Sequence, residues 1–100
     1  MREVQMDGVG GPEILKLVEV AHPEPDEGQG LIKVAAPSVN RADISQRLGN
    51  YPPPKGDSEI LGLEVAGVVE KLGPGVTACN PGERVMSLVG GGGYAEYAVA

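Results

Sequence analysis

Glycine and proline interrupt this chain so often that no long helix can form in it: sixteen glycines and nine prolines are spread over 100 residues. They cluster, as in Gly73-Pro74-Gly75 and Pro81-Gly82, between short runs of Val, Ile and Leu. There they supply the fixed or positive φ that turns require. The intervening runs are short and rich in β-branched residues, which predicts strands. So much Gly and Pro borders on the composition of disordered chains, but a hydrophobic fraction of 41% is enough for one core. At this length a folded chain hides roughly two-thirds of its unfolded surface. A single irregular β domain over residues 1–100 is expected, since no fixed-period repeat or heptad pattern points to a solenoid or coiled coil.

Val4 and Met6 open a first strand, and Gly8 and Gly10-Gly11-Pro12 turn the chain into a second, Ile14 to Val20. His22 to Gly28 is an acidic loop. A third strand over Leu31 to Ala36 sets Ile32, Val34 and Ala36 on one face and Leu31, Lys33 and Ala35 on the other. Asn40 to Gly49 has the marks of a short helix, with Asn as N-cap, Asp at the third position and Gly at the C-terminal stop. Its periodicity predicts that Ile44 and Leu48 share the buried face. Tyr51-Pro52-Pro53-Pro54-Lys55-Gly56 is a stiff loop, because successive prolines lack an N–H and fix φ. Glu64 to Leu72 is the strongest strand signal, with Gly62 and Gly67 marking a bend or a close approach. Arg84 to Val89 and Tyr94 to Val99 predict two further strands around Gly90 to Gly93.

Fourteen acidic against eight basic residues give a net charge of −6 and a pI near 4.6, which argues against nucleic acid or an anionic membrane surface as a partner. No apolar stretch approaches the ~20 residues of a membrane span, and Met1-Arg2-Glu3 begins no signal peptide. A soluble, cytoplasmic protein is expected. One cysteine, Cys79, and one histidine, His22, exclude an internal disulfide and a Cys/His metal site built by this chain alone. Cys79 has no second thiol or nearby basic residue and reads as an unreactive thiol, and His22 as an exposed loop residue. Gly90 to Gly93 lacks the ensuing helix of a dinucleotide-binding turn and reads as a hairpin loop. Asn40, Arg41, Asp43, Tyr51 and Glu64 remain. They either cap a helix, complement its dipole and face solvent, or converge on one cleft.

Along nearly its whole length the chain resembles the medium-chain dehydrogenase/reductase superfamily, and within it the zinc-independent quinone oxidoreductases of the zeta-crystallin type. The resemblance is carried by the order and spacing of Gly10-Gly11-Pro12-Glu13, Val39 to Asp43, Gln46 to Tyr51, Leu61 to Gly67, Gly82 to Val85 and Gly91 to Tyr97. It implies the N-terminal portion of a GroES-like catalytic domain, a mainly β, partly open antiparallel barrel with one short helix. It also implies NADPH as cofactor, a quinone as substrate, and a homodimer in the full-length form.

In zinc-containing relatives a cysteine and a histidine of this region bind the metal, and the matching positions here are Asn40 and Leu63, with Glu64 kept. Zinc needs about three Cys, His or carboxylate ligands, so hydride transfer without zinc is expected. By the same resemblance Tyr51 lies beside the quinone and Asn40 near the nicotinamide carboxamide, with Arg41, Asp43 and Glu64 as supporting polar residues at the cofactor. The family's Rossmann domain and returning segment have no counterpart in these 100 residues, so the isolated chain is expected to be inactive. The alternatives are an enoyl reductase of the same superfamily, or a non-catalytic module that acts by self-association or partner binding.

Overall fold

The computed structural model describes all 100 residues. Strands β1 (Arg2–Met6) and β2 (Leu15–Glu19) form an antiparallel pair in continuous register from Arg2↔Glu19 to Met6↔Leu15. The glycine turn between them ends in a single 3-10 turn, Pro12–Ile14. That turn takes Ile14 out of the expected strand, because Pro12 suits a first helical turn, where its missing N–H is not needed.

The second sheet has the order β5-β4-β3-β6, built from β3 (Gly30–Pro37), β4 (Glu64–Leu72), β5 (Arg84–Leu88) and β6 (Tyr97–Val99). Every pairing in it is antiparallel. The fold is thus mainly β with one short helix, α1 (Arg41–Arg47), and its sheets stay open. They are joined by a bridge between Glu3 and Ala95 and by the Val4 N–H, which donates to the Tyr94 carbonyl at 2.9 Å. No helix is long and apolar enough to cross a membrane.

The core is thin. Leu31, Ile32, Leu61, Val65, Val69 and Ala98 are its buried apolar side chains, and Val34, Val85 and Val89 pack against the Ile32–Val65–Ala98 cluster. Leu31 and Ile32 are buried in succession, against the expected alternation, because the β3–β4 register shifts between them and a bulge turns neighbouring side chains the same way.

Two further expectations fail. Gly90 to Gly93 is no hairpin loop: β5 and β6 lie at opposite edges of the sheet, so this run is a crossover between them. Only Tyr97–Val99 of the expected Tyr94–Val99 strand pairs with β3. Residues 92–94 instead donate their N–H groups to the carbonyls of Ile60, Gly62 and Leu61, at 2.8, 3.0 and 2.9 Å.

Gly62 permits that docking. Its φ is +104°, and a Cβ there would sit 2.7 Å from both Gly93 Cα and Tyr94 N, which a side chain cannot occupy. Gly82 also has a positive φ, +91°, but opens onto empty space. Gly62→Ala is therefore expected to cost about 1–3 kcal/mol from overpacking on top of the left-handed strain it shares with Gly82→Ala. Urea unfolding of the two variants checks the ranking, with Gly62→Ala the less stable.

Candidate active site

Where β3 ends, the Ser38 N–H donates to the Glu64 carbonyl at 3.0 Å. This ties the exit of one strand to the entry of the next. It sets Asn40 opposite Glu64, and the Asn40 Nδ2 donates to Glu64 Oε2 at 3.3 Å across 24 residues of sequence. Asn40 is also the helix N-cap, and the expected capping box with Asp43 is present. The Asn40 backbone N–H donates to Asp43 Oδ2 at 2.9 Å.

Asp43 is only 2% exposed. Its Oδ2 accepts a second hydrogen bond, from the Tyr94 hydroxyl at 2.6 Å, while Oδ1 has no partner. Tyr94 holds its proton well above the ordinary tyrosine range, first because burial disfavours the phenolate, then because it donates to Asp43 and lies beside that negative charge. Tyr94 is itself fixed at both ends of its peptide unit, by the Leu61 and Val4 bonds already described.

The inward face of α1 is therefore polar. Asp43 and Gln46 are buried, whereas Ile44 and Leu48, expected there, are 43% and 47% exposed. The helix faces hydrogen-bonding groups and not an apolar layer: Gln46 Nε2 donates to the Glu59 carbonyl at 3.1 Å. Its C-terminal end is held by Arg47, whose Nε donates to the Gly10 carbonyl at 3.0 Å. Gly49, with φ +88°, stops the helix as expected.

The expected site residues divide. Asn40, Asp43 and Glu64 come together. Arg41 is exposed and takes no part in their network. Tyr51 is 44% exposed and lines a cavity of about 270 Å³ with Met6, Val9, Pro52 and Pro53, a cavity that none of Asn40, Asp43 and Glu64 borders. A single convergent cleft is not what forms, because the proline-fixed loop carries Tyr51 to the C-terminal half of α1, beside Gln46 and Gly49. Tyr94 and Gln46 escaped the sequence reading of the site. The available signal was Asp43: a carboxylate committed to a cap needs another donor if it is buried, and tyrosine hydroxyls are among the few that reach.

The remaining candidates take ordinary places. The His22 ring stacks against Tyr97 at a centroid distance of 4.3 Å and a tilt of 30°. Cys79 is a free, partly buried thiol. The N–H groups of Gly92, Gly93 and Tyr94 are consumed by the 60–62 segment, so the glycine run cannot cradle a phosphate with them.

An open antiparallel domain with a capped helix set between its two longest strands defines a GroES-like domain. Residues 26–100 match the alcohol dehydrogenase GroES-like domain family, and the chain belongs to that family. It corresponds to the N-terminal portion of the medium-chain dehydrogenase/reductase fold. A quinone oxidoreductase of Lama guanicoe is 45% identical over 102 residues, which cover 100% of this chain and 31% of that protein. Quinone oxidoreductase from Coxiella burnetii superposes with a TM-score of 0.89 at 37% identity, over 100% of this chain and 34% of the other. The Escherichia coli quinone oxidoreductase, solved with NADPH, gives 0.83 at 32% identity, over 99% and 30%. The chain thus spans about a third of the length of the relatives it matches.

The Tyr94–Asp43 bond has a measurable signature. Tyr94 stays protonated in the folded state above about pH 10, where an unfolded tyrosine ionises, so its contribution to stability is full below that pH and falls as pH rises beyond it. Ultraviolet titration of the phenols is expected to show one late-ionising tyrosine that Tyr94→Phe removes. The same variant is expected to lose about 1.5–3 kcal/mol, the worth of a hydrogen bond to a charged group.

Proposed function

We propose that this chain is the substrate-side domain of an NADPH-dependent quinone oxidoreductase that works without zinc. The observation that carries the reading is the fixed amide of Asn40, oriented by the Glu64 carboxylate through its side chain and by Asp43 through its backbone. A nicotinamide carboxamide carries one amide donor group and one acceptor, the same set as asparagine, and such groups pair reciprocally. Asn40 is thus suited to orient the nicotinamide ring. Arg41, exposed at the start of α1, leaves its guanidinium free for an anionic part of the same cofactor.

When bound, NADPH would supply a hydride, and a quinone that takes up that hydride together with one proton from water becomes an aromatic hydroquinone. Little acid–base help is then needed, and holding the reactants in place is the larger contribution. The side chains here suit that division of labour. Asn40, Asp43 and Glu64 are engaged with one another as a rigid polar corner. Tyr51 offers a half-exposed ring with a hydroxyl at its tip. What supports chemistry without zinc is the residue types: Asn40 and Leu63 stand where zinc-containing relatives carry ligands, and neither side chain binds zinc.

The test is NADPH oxidation with 1,4-benzoquinone, measured on the protein purified from its source cells with its mass recorded. Quinone-dependent turnover is expected from a protein several times the 10.3 kDa of these residues, and none from residues 1–100 alone. Asn40→Ala is expected to lower kcat/KM at least tenfold, about 1.4 kcal/mol of transition-state stabilisation. No turnover by the native-length protein would remove the reductase reading.

One observation favours a second reading, self-association. β5 ends its sheet with an unpaired edge and carries Met86 and Leu88 at 85% and 79% exposure. Such an edge is a template for pairing with another chain. If it governs association, residues 1–100 form a dimer or larger species by light scattering, and Met86→Lys with Leu88→Lys returns them to monomer.

A further inference from the structure

Strand β5 is paired on one side only, with β4. The Val89 N–H donates to the Leu63 carbonyl at 2.8 Å and the Val69 N–H to the Glu83 carbonyl at 2.9 Å, which sets the phase of the ladder. In an antiparallel pair alternate residues exchange the bonds, so Glu83, Val85, Ser87 and Val89 turn their backbone groups to β4, and Arg84, Met86 and Leu88 turn theirs outward. These three residues hold three N–H and three C=O groups beyond the sheet. One of the six is engaged: the Leu88 carbonyl accepts the Ser87 hydroxyl at 2.9 Å, and it keeps a second lone pair. The β4–β5 register runs without a bulge and β5 contains no proline, so two of the devices that blunt a free edge are missing. The opposite edge, β6, is blunted by being only three residues long.

We propose that two copies of this chain join β5 to β5, antiparallel, about a two-fold axis beside Met86. Outward residues have to face outward residues. With Met86 opposite Met86 of the second copy, Arg84 faces Leu88 of the second copy and Leu88 faces its Arg84, and all three outward residues are paired. A slip of two residues either way leaves one of the three without a β5 partner. A further slip that brings the Arg84 side chains face to face is opposed by their like charge. The Met86 register instead parts the two Arg84 by about 14 Å along the strands. It also puts each Arg84 in the row of Leu88 and Glu64 of the second copy, because Glu64 pairs with Leu88. Two strand spacings, roughly 10 Å between Cα atoms, then separate opposite charges. The second copy thus brings a guanidinium to the row that carries Glu64 of the candidate site. The pair is closed, since an isologous contact uses the same patch on both copies. This inference rests on the self-association reading and is independent of the reductase one.

Disulfide trapping reads the register, on the 100-residue chain with Cys79→Ser to remove its own thiol. Met86→Cys is expected to close an intermolecular disulfide at least tenfold faster than Arg84→Cys or Leu88→Cys alone, because directly paired Cα atoms about 5.5 Å apart can be bridged and self-pairs about 14 Å apart cannot. An equal mixture of Arg84→Cys and Leu88→Cys is expected to link as readily as Met86→Cys. Met86→Pro removes an outward N–H and leaves the β4 ladder intact, so it is expected to be folded by circular dichroism and monomeric by light scattering. Should it fail to fold, the trapping decides. A monomer at every concentration overturns the proposal together with the self-association reading. Species that grow beyond a dimer, a dimer in which Met86→Cys links no faster than the other two, or one that survives Met86→Pro, overturn the two-fold pair and leave self-association standing.

Discussion

A single buried carboxylate oxygen, Asp43 Oδ2, holds the candidate site of this fold together. It receives the Asn40 N–H from its own helix and the Tyr94 hydroxyl from a segment 51 residues away. Each bond to a charged acceptor is worth about 1.5–3 kcal/mol, and each would leave a buried charge less satisfied if lost. That asymmetry makes the arrangement hard to change piecemeal. Asn40 owes its backbone position to Asp43 and its amide orientation to Glu64, while Tyr94 connects the same oxygen to Leu61 and to β1. In a domain with only six buried apolar residues, polar bonds carry a share of the organisation that a larger core would take over.

The sheet was largely legible in the sequence because strand signals and turn residues act locally. Glu64–Leu72, the β1–β2 hairpin and the close approach at Gly62 follow from β-branched runs and from residues without side chains. The helix was legible in extent but not in orientation. Its spacing groups Ile44 with Leu48, and the rule that an apolar stripe faces inward assumes an apolar layer to receive it. Here the receiving surface is the backbone at Glu59 and the Tyr94 hydroxyl, so Asp43 and Gln46 turn in. The strand order was not legible at all, since two strands flanking a glycine run look the same whether they pair or lie three positions apart.

The candidate site was legible in part for the same reason. Asn40, Asp43 and Glu64 belong to elements whose ends are joined by the strand pairing itself, so their convergence follows from β3 lying beside β4. Tyr51 belongs to a loop whose path is set by three prolines, and no local rule says which side of the helix such a loop will follow. Helix α1 links the two places: Asp43 faces the polar corner and Gln46 the cavity, about one helical turn apart. Whatever shifts this helix along its axis shifts both together.

The bond from the Val4 N–H to the Tyr94 carbonyl, and that from the Glu96 N–H to the Arg2 carbonyl at 3.1 Å, close β1 against residues 94–96. Contacts of such long sequence separation slow folding, because loop closure precedes any gain from them. During synthesis at about 5–20 residues per second, β1 waits several seconds for the segment that completes its surroundings. The β1–β2 hairpin, with Leu17 still facing solvent in the finished fold, spends that interval as an isolated two-stranded unit. Such a unit is marginal in water, so the β1–β2 hairpin is in need of shelter until residues 94–96 have been made.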